Sequence, residues 1–255
     1  MDRTPTFTWG QVRELFEQWS DRYLASEHAW RIEGRPVCAF NNLTDFVARY
    51  GAVAFAVLLR YGAQVIERQT GSPPFILGII GRADRRNVSL ANRLPLDAVT
   101  GYGLLPNWLG APIQDYDALM DQRAAEWDAM QRRLTVPFYP VVCAGWDASI
   151  RGRFRGTLRA EDGYPYSPVV VGVSPESFGR YLDLAIAFNR RWSPRPNLVF
   201  LHAWNEWTEC SVLAPSDRFG STLLDEVSAR RGLGDHGPSS TGRSGSAVHS
   251  ASDPS

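Results

Sequence analysis

The sequence predicts an α/β protein: a parallel sheet built from repeated βα units and wrapped by helices. Five apolar runs, near residues 37, 75, 97, 138 and 198, alternate with helical periodicities. No hairpin signal joins one run to the next, so the strands are expected to run parallel. Five strands fall short of the eight that close a barrel. The count equally allows an open doubly wound sheet, although no Gly-rich turn follows the first strand to hold a dinucleotide.

Taken in order, Thr8 to Ala25 places Trp9, Val12, Leu15, Phe16, Trp19 and Tyr23 at near-helical spacing. A short strand, Val37 to Phe40, follows Gly34-Arg35-Pro36. Thr44 to Gln69 reads as helical, with breaks expected at Gly51 and Gly62, since glycine costs helix stability. Phe75 to Ile80 is a continuous apolar run, suited to a strand buried on both faces. Leu96 to Tyr102 is a weaker strand. Ala118 to Arg133 is a helix with Leu119, Ala124, Trp127 and Met130 along one side, and Pro137 to Ala144 is the next strand. Ser174, Pro175 and Glu176 form a helix start: a cap, a first-turn proline and an acid on the positive end of the dipole. The helix then buries Phe178, Tyr181, Leu182, Ala185, Phe188 and Trp192. Asn197 to Ala203 is the last strand. Residues 228–255 are rich in Ser, Gly, Asp and Arg and bury too little to offset ordering entropy. They are expected to be a disordered tail behind a domain spanning 1–227.

Composition narrows the function. The chain has 255 residues, 44% of them hydrophobic, and its formal net charge is zero. There is thus no electrostatic case for nucleic acid or an anionic membrane. Every basic side chain among the Lys+Arg count is Arg. Cys38, Cys143 and Cys210 form an odd set without CxxC spacing, as expected of a reducing compartment. No run approaches the roughly 18 apolar residues of a membrane span, and Met1 to Pro5 lacks the apolar core of a signal peptide. Cytoplasm is the expected location.

The chemistry concentrates after the last strand, in Leu201-His-Ala-Trp-Asn-Glu-Trp-Thr-Glu-Cys-Ser211. Glu206 and Glu209 stand three residues apart, interleaved with Trp204 and Trp207. One carboxyl can protonate a glycosidic oxygen while the other acts as base or nucleophile, and indole faces can stack on a pyranose. The alternative is a helix N-terminus that merely favours acids. Strand alternation puts Phe200, His202, Trp204 and Glu206 on one side and Val199, Leu201 and Ala203 on the helix-facing side. Glu209 has the opposite parity, so a turn must bring it round. Gly145-Trp146-Asp147 ends the preceding strand with another aromatic and acid; the competing reading is a packed Trp with Asp147 capping a turn. Arg151, Arg153, Arg155 and Arg159 line the loop beyond, either solvated or holding phosphate. Asp115-Tyr-Asp117 matches a DxD metal pattern but directly precedes a helix, where acids belong. His202 reads either as a proton carrier or as a packed strand histidine. The histidines show no ligand spacing, so neither metal nor cofactor is expected.

Phe200 to Glu209, followed by Leu213-Ala-Pro-Ser216 and Phe219-Gly220, resembles the closing strand of the WbsX-type glycosyltransferase family, which is related to glycoside hydrolase family 99, the endo-α-mannosidases. The usual pattern is Ala-Trp-Asn-Glu-Trp, one residue, Glu-Gly, then Leu-Glu-Pro and an aromatic-Gly pair. Gly145-Trp-Asp147 with Arg151, and Ile32-Glu-Gly-Arg-Pro-Val37, resemble two other strand segments of that family. Cys210 stands where glycine is usual, Ala214 where an acid is usual, and His202 where Asn is common. The resemblance spans about Thr6 to Val227.

It implies a (β/α)8 barrel and a carbohydrate substrate. Glu206 and Glu209 become the catalytic pair, with Trp204, Asn205, Trp207, Trp146, Asp147, His202 and Arg151 around the sugar. In the hydrolase relatives two such glutamates act with retention through a 1,2-anhydro sugar. The resemblance also implies that the five strands align with the fourth to eighth of the barrel and that three βα units are missing. The chain is then expected to be an incomplete, inactive fragment, unless an upstream segment or a second chain supplies the rest. Two other readings stand beside the enzyme: a non-catalytic sugar-binding remnant, and an unrelated barrel hydrolase that pairs Asp147 with Glu206.

Overall fold

The computed structural model describes residues 8–41, 43–81, 84–103, 106–151, 162–192 and 196–231. Helix α1 (Trp9–Trp19) starts on a reciprocal cap: the Thr8 side chain accepts from the Gln11 amide, and the Gln11 side chain accepts from the Thr8 amide at 2.9 Å. It runs on into one π-helical turn, Ser20–Leu24.

Strands β1 (Arg31–Ile32) and β2 (Arg35–Phe40) then pair antiparallel. This hairpin leads into the first of the five runs, which pair parallel with one another as expected. Glu33 and Gly34, with φ of 51° and 78°, form the two-residue turn. Both central residues have positive φ, as a type I′ turn requires. Glutamate seldom takes that conformation, which is why the sequence carries no Asn-Gly-like signal.

Helices α2 (Leu43–Tyr50) and α3 (Ala52–Thr70) meet at Gly51 with a bend of 114°. The break expected at Gly51 is present, whereas Gly62 lies inside α3. A Cβ at Gly62 would sit 2.3 Å from the ring of Phe16, so glycine here makes room for α1. Among the described residues no single helix is long and apolar enough to cross a membrane.

Strand β3 (Phe75–Ile80) is followed by α4 (Arg85–Ala91), then β4 (Ala98–Gly101). Helix α4 is too short to show a periodicity in sequence; it is fixed by Asp84, whose side chain accepts from the Asn87 amide at 2.7 Å. Next come β5 (Ile113–Asp115), α5 (Tyr116–Gln131), β6 (Phe138–Tyr139) and β7 (Val141–Cys143). Strand β8 (Val169–Val171) pairs parallel with β5, apart from the main sheet. Helix α6 (Pro175–Trp192) begins on Ser174, whose Oγ accepts from the Ser177 amide at 3.1 Å. The chain closes with β9 (Phe200–His202), β10 (Asn205–Glu206), β11 (Ser211–Val212) and α7 (Thr222–Arg230).

Five segments run parallel and neighbour one another in chain order: β2, β3, β4, β6 with β7, and β9. Pro140 divides the fourth. Lacking an N–H, it cannot continue the ladder, so β6 pairs with β4 while β7 pairs with β9. The curled sheet has two apolar faces. Ile32, Phe75, Leu77, Ala98 and Tyr139 cluster on one, with Val37, Leu198 and Phe200 packed against them. Ile76, Ile80, Val99, Phe138 and Val142 join the helices in the larger core on the other. Phe200 and Val199 therefore part as alternation predicts. Leu201 does not reach the helices and is exposed instead.

Residues 228–230 complete α7 rather than starting a tail. The Arg230 guanidinium pairs with Asp183 at 2.7 Å and Glu226 at 2.5 Å. Residues 232–255 lie outside the described residues, as do Arg153, Arg155 and Arg159.

Gly62→Ala should destabilise the protein. Alanine gains about 1 kcal/mol of helix propensity, but forcing a Cβ into a packed ring costs about 1–3 kcal/mol. Phe16 is 2% exposed and edge-packed on Trp19, so it has little room to yield. A urea midpoint equal to or above the parent's would refute this packing.

Candidate functional site

The loops at the C-terminal ends of β7 and β9 build the site. Beyond β9 the chain forms a hairpin in which Asn205 lies opposite Val212 and Glu206 opposite Ser211. Between its strands Trp207–Glu209 make a 3-10 turn, closed by Cys210 at φ 50°, ψ 27°. The left-handed residue is at the position where the family pattern usually has glycine. A side chain there costs about 1–2 kcal/mol. The Asp147 amide donates to the Glu209 carbonyl at 2.7 Å, tying this turn to the end of β7.

This turn resolves the parity of the two acids. Arg151, on the 3-10 turn Ser149–Arg151, reaches both. One guanidinium nitrogen donates to Glu209 Oε1 at 2.8 Å and another to Glu206 Oε1 at 3.0 Å. Its Nε donates to Thr208 Oγ1 at 2.8 Å, and Thr208 donates to Glu206 Oε1 at 2.6 Å. The two carboxylates thus share one cation and face one side.

Their surroundings differ. The Glu209 side chain is 8% exposed and that of Glu206 39%. Burial raises the Glu209 carboxyl above the ordinary value, Arg151 opposes the rise, and the charge of Glu206 adds to it. The Thr208 hydroxyl, with Arg151, holds Glu206 below it. One acid is biased towards the protonated form and its neighbour towards the ionised form.

The other expected site residues divide. Trp204 and Trp207 are 58% and 52% exposed, and Asn205 is also exposed. Trp146, expected to line the sugar, is instead 1% exposed. It packs edge-on against Trp108 with ring centres 5.4 Å apart, and stacks on Tyr164. An aromatic at a strand end can serve either core or surface, and here the core takes it. Asp147 is not in the carboxylate pair. Its Oδ1 accepts from the Ser149 amide at 3.0 Å and the Ser149 hydroxyl at 2.6 Å, capping the turn that carries Arg151. His202 is packed: its Nδ1 lies 3.3 Å from Ser211 Oγ and 3.8 Å from Cys143 Sγ. Burial lowers its pKa, against the charge of Glu206, and so disfavours the charged ring.

Asp115 caps α5, its Oδ1 accepting from the Ala118 amide at 2.9 Å, and Asp117 pairs with Arg180 at 2.6 Å. The DxD pattern is thus a helix start. Among the described residues no three of His, Cys, Asp and Glu converge as a metal cage.

Tyr102, just beyond β4, was not singled out by sequence. Its ring lies 5.1 Å from that of His202. Burial, then the charges of Glu209, Tyr164 and Glu206, raise its phenol above the ordinary value, while Arg151 opposes the rise. It ends a strand with an aromatic, the same signal that drew attention to Trp146. A cavity of about 180 Å³ lies against Tyr102, lined by Trp108, Arg123, Trp127, Phe138 and Tyr181. Those residues belong to the helix-facing core, so the cavity does not contain the carboxylates.

Residues 86–227 match the family described as Glycosyltransferase WbsX. The chain belongs to the WbsX glycosyltransferase family. It is 30% identical over 109 residues to the uncharacterised protein WxcX of Xanthomonas campestris pv. campestris, a match covering 42% of this chain and 14% of WxcX. Among solved structures, a glycoside hydrolase-like protein superposes with a TM-score of 0.65 at 12% identity, over 89% of this chain and 62% of that one. The GH99 endo-alpha-mannosidase from Bacteroides thetaiotaomicron in complex with bis-tris propane gives 0.54 at 14% identity, over 91% and 69%. The fold of this WbsX chain is therefore of the barrel type, with its parallel strands in a curled half-barrel sheet.

Truncating the tryptophans should separate core from surface. Trp146→Ala should cost about 3–5 kcal/mol of stability, and Trp204→Ala no more than about 0.5 kcal/mol. Denaturant titration reads both; a Trp146→Ala protein as stable as the parent would mean the indole is not a core residue.

Proposed function

We propose that this WbsX domain cleaves or transfers glycosyl groups, with Glu206 as base and Glu209 as acid. The observation that carries this is the Arg151 fork. It holds two carboxylates of opposite protonation bias beside two exposed indoles at the C-terminal edge of a barrel-type sheet, where such folds do their chemistry.

In the scheme, ionised Glu206 takes the proton of a sugar 2-hydroxyl as that oxygen attacks its own anomeric carbon. Protonated Glu209 gives its proton to the departing glycosidic oxygen. The 1,2-anhydro sugar then opens. Glu209 takes the proton of an incoming hydroxyl, whose oxygen bonds to the anomeric carbon, and Glu206 returns its proton to O2. Water as acceptor gives hydrolysis, and a sugar hydroxyl gives transfer. Trp204 and Trp207 supply stacking faces, Asn205 a hydrogen-bonding amide, and Arg151 keeps the acids aligned.

We also infer that the five parallel strands correspond to the fourth to eighth of an eight-stranded barrel, completed by strands of another segment or a second chain. The support is that β9 pairs only with β7 among the described residues, and that the chain covers 62% and 69% of the two structures it resembles.

Manno-oligosaccharides, chosen after the mannosidase neighbour, are the first probe, read by tryptophan fluorescence for binding and by product analysis for turnover. Glu206→Gln and Glu209→Gln should each lower turnover about 10²–10⁴-fold with little change in binding. The parent's activity should fall at low pH as Glu206 protonates and at higher pH as Glu209 ionises. A parent that binds but turns nothing over, with both variants binding alike, would favour a non-catalytic sugar-binding module. Turnover abolished by Asp147→Asn but little changed by Glu209→Gln would favour the Asp147–Glu206 hydrolase.

A further inference from the structure

The net charge of zero conceals a local imbalance on the outer wall of the sheet. Arg85, Arg86 and Arg93 project from α4 and the turn after it, all exposed. Arg85 and Arg93 line a shallow groove with Arg133 from the end of α5. Arg86 and Arg93 line a second groove with Thr44, Val47 and Ala52. Ser89 and Arg93 line both grooves.

None of these four arginines has an acidic partner among the described residues. This contrasts with Arg35, Arg151, Arg180, Arg191 and Arg230, each of which is ion-paired. The arrangement is also braced. Asn92 donates to the Arg133 carbonyl at 2.8 Å and accepts from the Thr135 amide at 2.9 Å, holding the α5 end against α4. Positive charge is thus gathered on a fixed frame, with no ion pair to it among the described residues.

An apolar edge adjoins it. Ala52 opens α3 and lines the groove with Arg86 and Arg93. On the same helix, Val53 and Val57 are 77% and 47% exposed, with Ala54 exposed between them. Spaced i, i+4, the two valines share a helix face, and no core requirement explains their exposure. Unpaired arginines would suit any polyanion. Arginines bordered by exposed aliphatic side chains suit a surface with phosphate outside and hydrocarbon beneath.

We propose that α4 with the first turns of α3 is a peripheral docking surface for an anionic lipid bilayer. The arginines sit among the phosphate headgroups, and Val53 and Val57 enter the acyl boundary. No helix spans the bilayer in this arrangement.

Co-sedimentation of the chain with vesicles tests this. Binding is expected to phosphatidylcholine vesicles carrying phosphatidylglycerol and not to phosphatidylcholine alone. It should be largely lost in about 1 M salt, where screening acts within about 3 Å. Each arginine near an anionic surface should contribute about fivefold, so Arg86→Ala with Arg93→Ala should weaken binding roughly 25-fold. Val53→Asp with Val57→Asp, both at exposed positions, should also weaken it, with the circular dichroism of the parent retained. Equal sedimentation with both vesicle types, or no effect of the arginine substitutions, would overturn the proposal. It would likewise be overturned if the valine variant bound vesicles like the parent while free phosphate or single-stranded DNA displaced the protein, which would mark a soluble-anion site.

Discussion

A single guanidinium, that of Arg151, is the constraint on which the site depends. It comes from the turn after β7, and both its acidic partners come from the hairpin after β9. Exposed ion pairs contribute about 0–1 kcal/mol to stability, and the Glu206 side chain is 39% exposed. The fork is therefore better understood as an orienting device than as a source of stability. Two carboxylates three residues apart on an extended strand would point apart. The 3-10 turn over Trp207–Glu209 and the left-handed Cys210 bring the second one back, and Arg151 supplies the cation that lets like charges share a face.

The sheet makes that fork possible. β7 and β9 are parallel neighbours, registered so that Cys143 lies opposite His202. The segments following them therefore leave from the same edge and meet. Pro140 contributes by ending the pairing with β4 and letting the second half of the broken strand turn to β9. Asp147 acts at one remove, capping the turn that carries Arg151 and donating its amide to the Glu209 carbonyl. The packed trio of Cys143, His202 and Ser211 fills the space behind. Burial pushes the Cys143 thiol up to about 11, which makes it an inert packing group.

The five parallel strands were legible because buried parallel strands read as continuous apolar runs, and α6 because its cap, proline and acid stand in order. The β1–β2 hairpin was hidden, since its turn uses Glu33 in a conformation usually left to Asn or Gly. Helix α4 was hidden by its length. At the site, the residues around Glu206 and Glu209 were enough to suggest the family to which the chain belongs. Which tryptophans face outward was not legible: Trp146 and Trp204 both follow strands, and only the packing of Trp108 and Tyr164 decides that the first is core. The cationic groove escaped for a different reason. Net charge sums over the whole chain, and acids elsewhere cancel arginines that are neighbours only in space.

The central claim is that Arg151 holds Glu206 and Glu209 together while their surroundings push their protonation apart. Carbon-13 titration of the glutamate side-chain carboxyls, in the parent and in Arg151→Gln, measures this directly. Glu209 should titrate above the ordinary carboxyl value and Glu206 below it, and loss of the cation that lowers both should move both upward. Two glutamates that titrate together at the ordinary value, or that are unmoved by Arg151→Gln, would contradict it.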